Sequence, residues 1–175
     1  MENHFLLNQY DSTSYYGQDL IENHRISNEI ESSATLHIGK AQYKLGKLDE
    51  SFDWLLLLVN SAPDERSAEA KYYVSKIFYD KKEYAQSLKS LFELTETFKA
   101  YDVWIGKAFL LMTDNYLATD ELFQAEATLN SLIENSPVES IKKQAQDKLK
   151  EIEAAKKKEL VTTKDTVEVK EKDQN

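Results

Sequence analysis

Apolar residues recur at intervals of three and four along most of this chain. Leu36, Ile38, Ala41, Tyr43 and Leu45 make one such run. Tyr73, Val74, Ile77 and Phe78 make a second, and Ala108, Phe109, Met112 and Tyr116 a third. This spacing puts the apolar side chains on one face of a helix. Polar breaks fall at residues 46–47, 61–64, 80–83, 99–102 and 119–121. The segments between them run about a dozen residues, an ordinary helix length. Residues 136–139, Ser-Pro-Val-Glu, read as the start of a further helix. Ser136 is its expected cap, Pro137 suits the first turn, and Glu139 completes a capping box. Over residues 138–160, Val138, Ile141, Ala145, Leu149, Ile152 and Ala155 form an apolar stripe opposite a polar face. The Lys156–Lys158 run is then expected at the C-terminal end, where cations favour the helix dipole. Residues 161–175 are polar without periodicity and are expected to be a disordered tail.

The pattern repeats. Gly46-Lys47-Leu48, Lys82-Glu83-Tyr84 and Asp120-Glu121-Leu122 align at spacings of 36 and 38 residues. Each is preceded by one helical segment and followed by another. Aligned on these turns, the third unit carries Phe109, Met112, Thr113, Tyr116, Ala125, Leu129 and Pro137. The first carries Thr35, Ile38, Gly39, Gln42, Ser51, Leu55 and Pro63 at the same places, and the second Lys71, Val74, Ser75, Phe78, Ser87, Leu91 and Lys99. The second lacks the final Pro, and a longer link to the third unit is expected. This arrangement resembles the tetratricopeptide repeat, a helical hairpin of about 34 residues. The resemblance covers residues 32–137, as three hairpins over 32–65, 68–101 and 106–137. It implies an all-α fold of tandem antiparallel helical hairpins, a right-handed α-solenoid, closed by the C-terminal capping helix at 138–160. A solenoid must cover its last apolar surface with a helix that is polar outside. In each hairpin two small residues face one another at the crossing: Gly39 and Ser51, Ser75 and Ser87, Thr113 and Ala125. Close crossings need small side chains because packed interiors do not absorb extra volume. Within residues 1–31, Tyr10, Thr13, Gly17 and Leu20 match the second helix of an earlier, partial repeat, about 11–24. The stretches Ala68-Glu-Ala-Lys-Tyr-Tyr73, Trp104-Ile-Gly-Lys-Ala-Phe109 and Leu122-Phe-Gln-Ala-Glu-Ala-Thr-Leu129 are similar to the C-terminal end of long tetratricopeptide proteins of Gram-negative bacteria, often cell-envelope proteins.

Composition narrows the functions. The 175 residues contain no Cys, which excludes disulfides, thiolate metal sites and a Cys nucleophile. Net charge is -9, with residues 138–175 at +1 and residues 1–137 at -10. A helical-repeat RNA binder of the pentatricopeptide kind needs a basic groove, so this balance argues against nucleic acid. No apolar run is long enough to span a bilayer, and residues 1–10 lack the pattern of a signal peptide. The compartment is open: cytoplasmic if Met1 is the natural start, periplasm or cell envelope if the chain is a fragment of a longer exported protein. His4, His24 and His37 are scattered, and the four glycines do not form a phosphate loop. Gly46 is read as a turn residue. No nucleophile, base and oxyanion site assembles from the sequence. The expectation is therefore no enzyme, no cofactor and no metal.

What the resemblance implies instead is a groove. The first helix of each hairpin lines the concave face, and its inward positions carry over as Leu36, Lys40, Tyr43 and Lys44 in the first unit. They become Tyr72, Lys76, Tyr79 and Asp80 in the second, and Leu110, Asp114 and Leu117 in the third. Tyr supplies contact area at low entropy cost and Lys can meet a carboxylate. A subclass of the family clamps chaperone C-terminal carboxylates with a Lys and Asn set. Here those positions read Leu36 with Lys40, Tyr72 with Lys76 and Leu110 with Asp114, so that activity is not implied. Asp114 is read as a solvated groove residue or the receiver of a basic partner group, and Asn115 as bonding a loop backbone. Trp104 is expected as a core anchor beneath Tyr101, and Trp54 as a half-exposed mark of a partner patch. The expected function is a protein-interaction module with a peptide or partner protein in the groove. The alternative is a structural subunit of a bacterial cell-envelope complex, contacting through its convex face or open N-terminal edge. Self-association through that edge is a further expectation.

Overall fold

The computed structural model describes the backbone of residues 2–172 and the side chains of residues 3–157. The chain is all-α: 82% of it is helical, with no strand among the described residues. Among the described residues nine helices follow one another: α1 (Glu2–Leu6), α2 (Tyr10–Asn23), α3 (Asn28–Lys44), α4 (Leu48–Val59), α5 (Glu65–Asp80), α6 (Tyr84–Thr97), α7 (Asp102–Ala118), α8 (Leu122–Asn135) and α9 (Glu139–Lys172). Each packs against the next. Odd-numbered helices also touch the next odd-numbered one, from α1 through α9. Among the described residues, no even-numbered helix touches another. The odd helices thus form a contiguous layer and the even helices a separated one.

The turns explain the repeat. Gly46, Lys82 and Asp120 all take a left-handed backbone, at φ 76°, 63° and 60°. At each turn the next residue's N–H reaches back five residues, from Lys47 to Gln42, Glu83 to Phe78 and Glu121 to Tyr116. The turn residue's own N–H reaches back three. This pair of bonds is the Schellman motif, which satisfies carbonyls that a helix end leaves free. A fourth copy sits at Asn8, φ 58°, with Gln9 bonded to His4. It makes α1 and α2 a short version of the same unit.

The core is divided between neighbours. Leu36, Leu55, Leu58, Val74 and Ile77 pack where α3, α4 and α5 meet. Leu91, Leu94, Phe98, Trp104, Leu111 and Met112 do so for α5, α6 and α7. Leu110, Leu129, Leu132, Ile141, Ala145 and Ile152 do so for α7, α8 and α9. Leu55, Leu91 and Leu129, nine residues after their turns, are all fully buried. In the first unit that place is Gly17, so the joint beyond α2 has less to bury.

The small pairs meet as hydrogen-bonded crossings in two units. Ser51 Oγ donates to Gly39 O at 2.7 Å, and Ser87 Oγ donates to Ser75 O at 2.9 Å. A Cβ on Gly39 would lie 2.7 Å from Leu55, so that crossing has no room for Ala. Thr113 and Ala125 are both fully buried, but Ala125 has no hydroxyl to donate.

Several boundaries differ from the pattern. α3 begins at Asn28, four residues before the first hairpin expected from residue 32, because Ser27 Oγ accepts from Ile30 N and Glu29 and Glu31 suit the first turn. The link from α6 to α7, residues 98–101, is shorter than the corresponding link from α4 to α5, residues 60–64, so the longer link expected there is not found. The extra residues extend α6 to 14 and α7 to 17, against 12 for α4 and 16 for α5. A capping box forms between Asp64 and Ser67 at α5, not at α9. There Ser136 Oγ accepts from Val138 N, which leaves Pro137 outside the helix. α9 continues to Lys172, past residue 160. Residues 173–175 and the side chains of 158–175 lie outside the described residues, which leaves the expected tail largely undescribed. Lys156 therefore sits within the helix and holds Glu126 of α8 at 2.6 Å, rather than serving a helix end. Ala155, placed in the apolar stripe, is exposed. No helix among the described residues is long and apolar enough to cross a membrane.

Candidate functional site

A trough of about 470 Å³ runs across the contiguous layer. Every residue lining it comes from an odd-numbered helix. Lys40, Tyr43 and Lys44 come from α3, and Glu69, Tyr72, Tyr73 and Lys76 from α5. Trp104, Lys107, Leu110, Leu111 and Asp114 come from α7, and Gln144 and Lys148 from α9. This follows from the repeat: Lys40, Lys76 and Asp114 stand six residues before successive turns, so stacking the units sets them in a row.

Cross-helix pairs bind the row together. Lys40 Nζ meets Glu69 at 2.6 Å, with both side chains mostly buried. Lys148 of α9 donates to Asp114 of α7. The Tyr43 hydroxyl donates to Asp80, linking α3 to α5. Ion pairs this sheltered are screened less than surface pairs. Aromatic rings supply the rest. Tyr43 meets Tyr73 edge-on at 5.4 Å, Tyr72 meets Tyr73 at 5.8 Å, and Tyr72 lies 5.7 Å from Trp104. Lys107 Nζ sits 3.8 Å above the Trp104 ring, and Lys76 Nζ 5.8 Å from the Tyr43 ring.

Burial shapes the titration. It pushes the Tyr72 and Tyr73 hydroxyls up to about 12, aided by neighbouring phenols and by Asp114 and Glu69 respectively. It raises Tyr43 further, helped by its hydrogen bond to Asp80. It pulls Lys107 below the usual lysine range. Five lysines face two carboxylates along the trough, a surplus of three positive charges on a chain of net charge -9. Lys44, Lys76 and Lys107 have no carboxylate within 4.0 Å among the described residues.

Of the eleven residues expected at a groove, the trough gathers Lys40, Tyr43, Lys44, Tyr72, Lys76, Leu110 and Asp114. The other four lie elsewhere. Leu36 is buried in the core between α3, α4 and α5, facing helices rather than solvent. Tyr79 packs on the α5–α7 core, 5.7 Å from Tyr84. Asp80 is exposed and holds Tyr43, and Leu117 packs against the α7–α9 cluster. Asn115 bonds no loop. It is fully buried and donates to Leu111 O and Ser87 Oγ, which ties α7 to α6. Asp114 receives a basic group, but from this chain's own Lys148. Trp104 is a core residue as expected, and it also forms a wall of the trough. Sequence reasoning missed Glu69, Tyr73, Lys107, Leu111, Gln144 and Lys148. Glu69 and Lys107 share a register, thirteen residues before their turns, and that register could have found them. No protein-family model matches the chain, and no curated protein matches it.

Proposed function

We propose that this chain is a tetratricopeptide-like α-solenoid, built from antiparallel helical hairpins, that acts as a non-enzymatic protein-interaction module. A segment of a partner protein is held in the trough. The observation that carries this reading is the trough's make-up: four successive odd-numbered helices line it and no even-numbered helix contributes. A layer whose helices touch, backed by one whose helices do not, curves with the touching layer inside. Such concave surfaces are what helical repeat arrays use for binding. The recurrence of the Schellman turn and of the buried Leu55, Leu91 and Leu129 supports the repeat. The trough's two carboxylates are already held by Lys40 and Lys148, which suits a binding wall better than acid–base work.

The test is site-specific photo-crosslinking in source-cell extract. A photoreactive residue at Lys44 or Lys76 is expected to capture a defined partner band, and one at exposed Phe123 on α8 is not. Capture from Phe123 alone would place binding on the separated layer and overturn the trough.

A second reading rests on the first unit. Leu6, Leu7, Tyr15 and Tyr16 are 73%, 67%, 67% and 50% exposed, an apolar edge of the sort that assembly contacts cover. In this reading the chain is a structural subunit, in a bacterial cell envelope, joined through that edge. Light scattering of the wild type beside a Leu6→Glu, Leu7→Glu variant separates the two. Concentration-dependent growth in mass, lost in the variant, supports edge assembly.

A further inference from the structure

We infer that the trough is selective for an acidic segment, in which carboxylate side chains alternate with apolar or aromatic ones. This rests on the trough being the binding surface, and it names the chemistry that surface takes. Lys44, Lys76 and Lys107 point charge into a space whose own carboxylates, Glu69 and Asp114, are occupied by Lys40 and Lys148. Lys107 is half-buried, held over the Trp104 ring in place of an anion. Taking a charge partly out of water without a counter-charge costs free energy, and an incoming carboxylate offsets that cost. The burial that pulls Lys107 below the usual lysine range reports the same deficit.

Carboxylate fits better than phosphate. Trp104 is the one lining residue from the first turn of a helix, and its backbone N–H is already bonded to Tyr101 O, so no free helix N-terminus offers N–H groups to a phosphate there. It contains no Arg fork, and single ammonium groups match single carboxylates. The chain's net charge of -9 repels an extended polyanion, while the local surplus of positive charge attracts a short acidic stretch. Between the lysines, the half-buried Tyr43 and Tyr72 provide flat surface for the alternate side chains.

The experiment is selection of phage-displayed random dodecapeptides on the wild-type chain. In parallel it uses a Lys76→Glu, Lys107→Glu variant and a control carrying Lys89→Glu and Lys143→Glu on exposed positions. Circular dichroism and melting confirm that each is folded. On the wild type and the control, Asp and Glu are expected to rise roughly twofold or more over the input pool. That enrichment is lost or inverted on the trough variant. Binding of a selected peptide also weakens as salt rises from about 50 to 300 mM. Selection of neutral or basic peptides that still lose binding in the trough variant overturns the acidic preference and leaves the interaction module standing. Failure to select any peptide overturns both. A labelled oligonucleotide or inorganic polyphosphate that binds and is lost in the trough variant, with no acidic peptide selected, overturns the carboxylate assignment.

Discussion

The two layers of the molecule are fastened together alike and are otherwise different. The α3–α4 and α5–α6 crossings each use a serine of an even helix bonded to a backbone carbonyl of an odd one. Beyond that joint the layers part. The odd helices face one another and fill the space between with tyrosines, paired lysines and carboxylates. The even helices stand apart and leave Leu57, Phe92 and Phe123 exposed singly. The lesson is that a repeat sets the spacing of both layers but concentrates side-chain chemistry only where neighbours touch. The contiguous layer is also where ordinary rules bend. Among the described residues, the Trp104 indole N–H is buried without a hydrogen-bond partner, as are Gln42 Oε1 and Asn115 Oδ1 on α3 and α7, and the lysine over the Trp104 ring has no carboxylate within 4.0 Å. Such local violations gather at functional sites.

The largest effect should come from separating the layers. Ser87 is fully buried, donates to Ser75 O and accepts from Asn115. Ser87→Leu would add volume and strip both bonds, and should destabilise by about 3 kcal/mol. Urea unfolding checks this, and an unchanged midpoint would break the account of the joint. Next is the seat of α9. A Cβ on Gly106 would lie 2.8 Å from the branched carbons of Ile141. Gly106→Ala should therefore cost roughly 1–3 kcal/mol by displacing α9 from α7. It should also weaken the Lys148–Asp114 contact, which loss of amide-exchange protection across α9 would report.

Alkali should attack the contiguous layer selectively. An unfolded Tyr ionises near pH 10, by about two pH units earlier than Tyr72 and Tyr73, which are held to about 12. The folded state binds those protons more tightly, so their contribution is fully present below pH 10. It is lost as pH rises from about 10 to 12. Melting temperature should fall across that window, and less steeply in a Tyr72→Phe, Tyr73→Phe variant. The smallest effect concerns the turns alone. Lys82 holds φ 63° without being Gly. Lys82→Gly should stabilise by up to about 1 kcal/mol, visible as a raised melting temperature. The partner assays should not change.

How much of this was legible in the sequence differs between the layers. Period, helix order and the small pairs could be read because they are local: turn, then five residues, then the crossing serine. Leu55, Leu91 and Leu129 follow from the same count. The trough was legible only in part. Lys40, Tyr43 and Lys76 came out of the helix register, but Leu36 occupies the same register as the half-buried Tyr72 and lies wholly in the core, away from the trough. Register fixes the direction of a side chain from its own helix, and the neighbouring helix decides whether that direction meets solvent. Boundaries were misplaced for a similar reason. α3 starts at a cap, Ser27, that precedes the apolar rhythm.

By itself, then, the sequence determined that the chain is helical, that its turns recur, and which small residues meet at the α3–α4 and α5–α6 crossings. These depend on contacts within a dozen residues. The tertiary structure decided which lysines are neutralised and which are left over. Lys40 finds Glu69 and Lys148 finds Asp114 across about thirty residues of chain. Ion pairing depends on separations of a few ångström between helices, and no spacing along one helix encodes that distance.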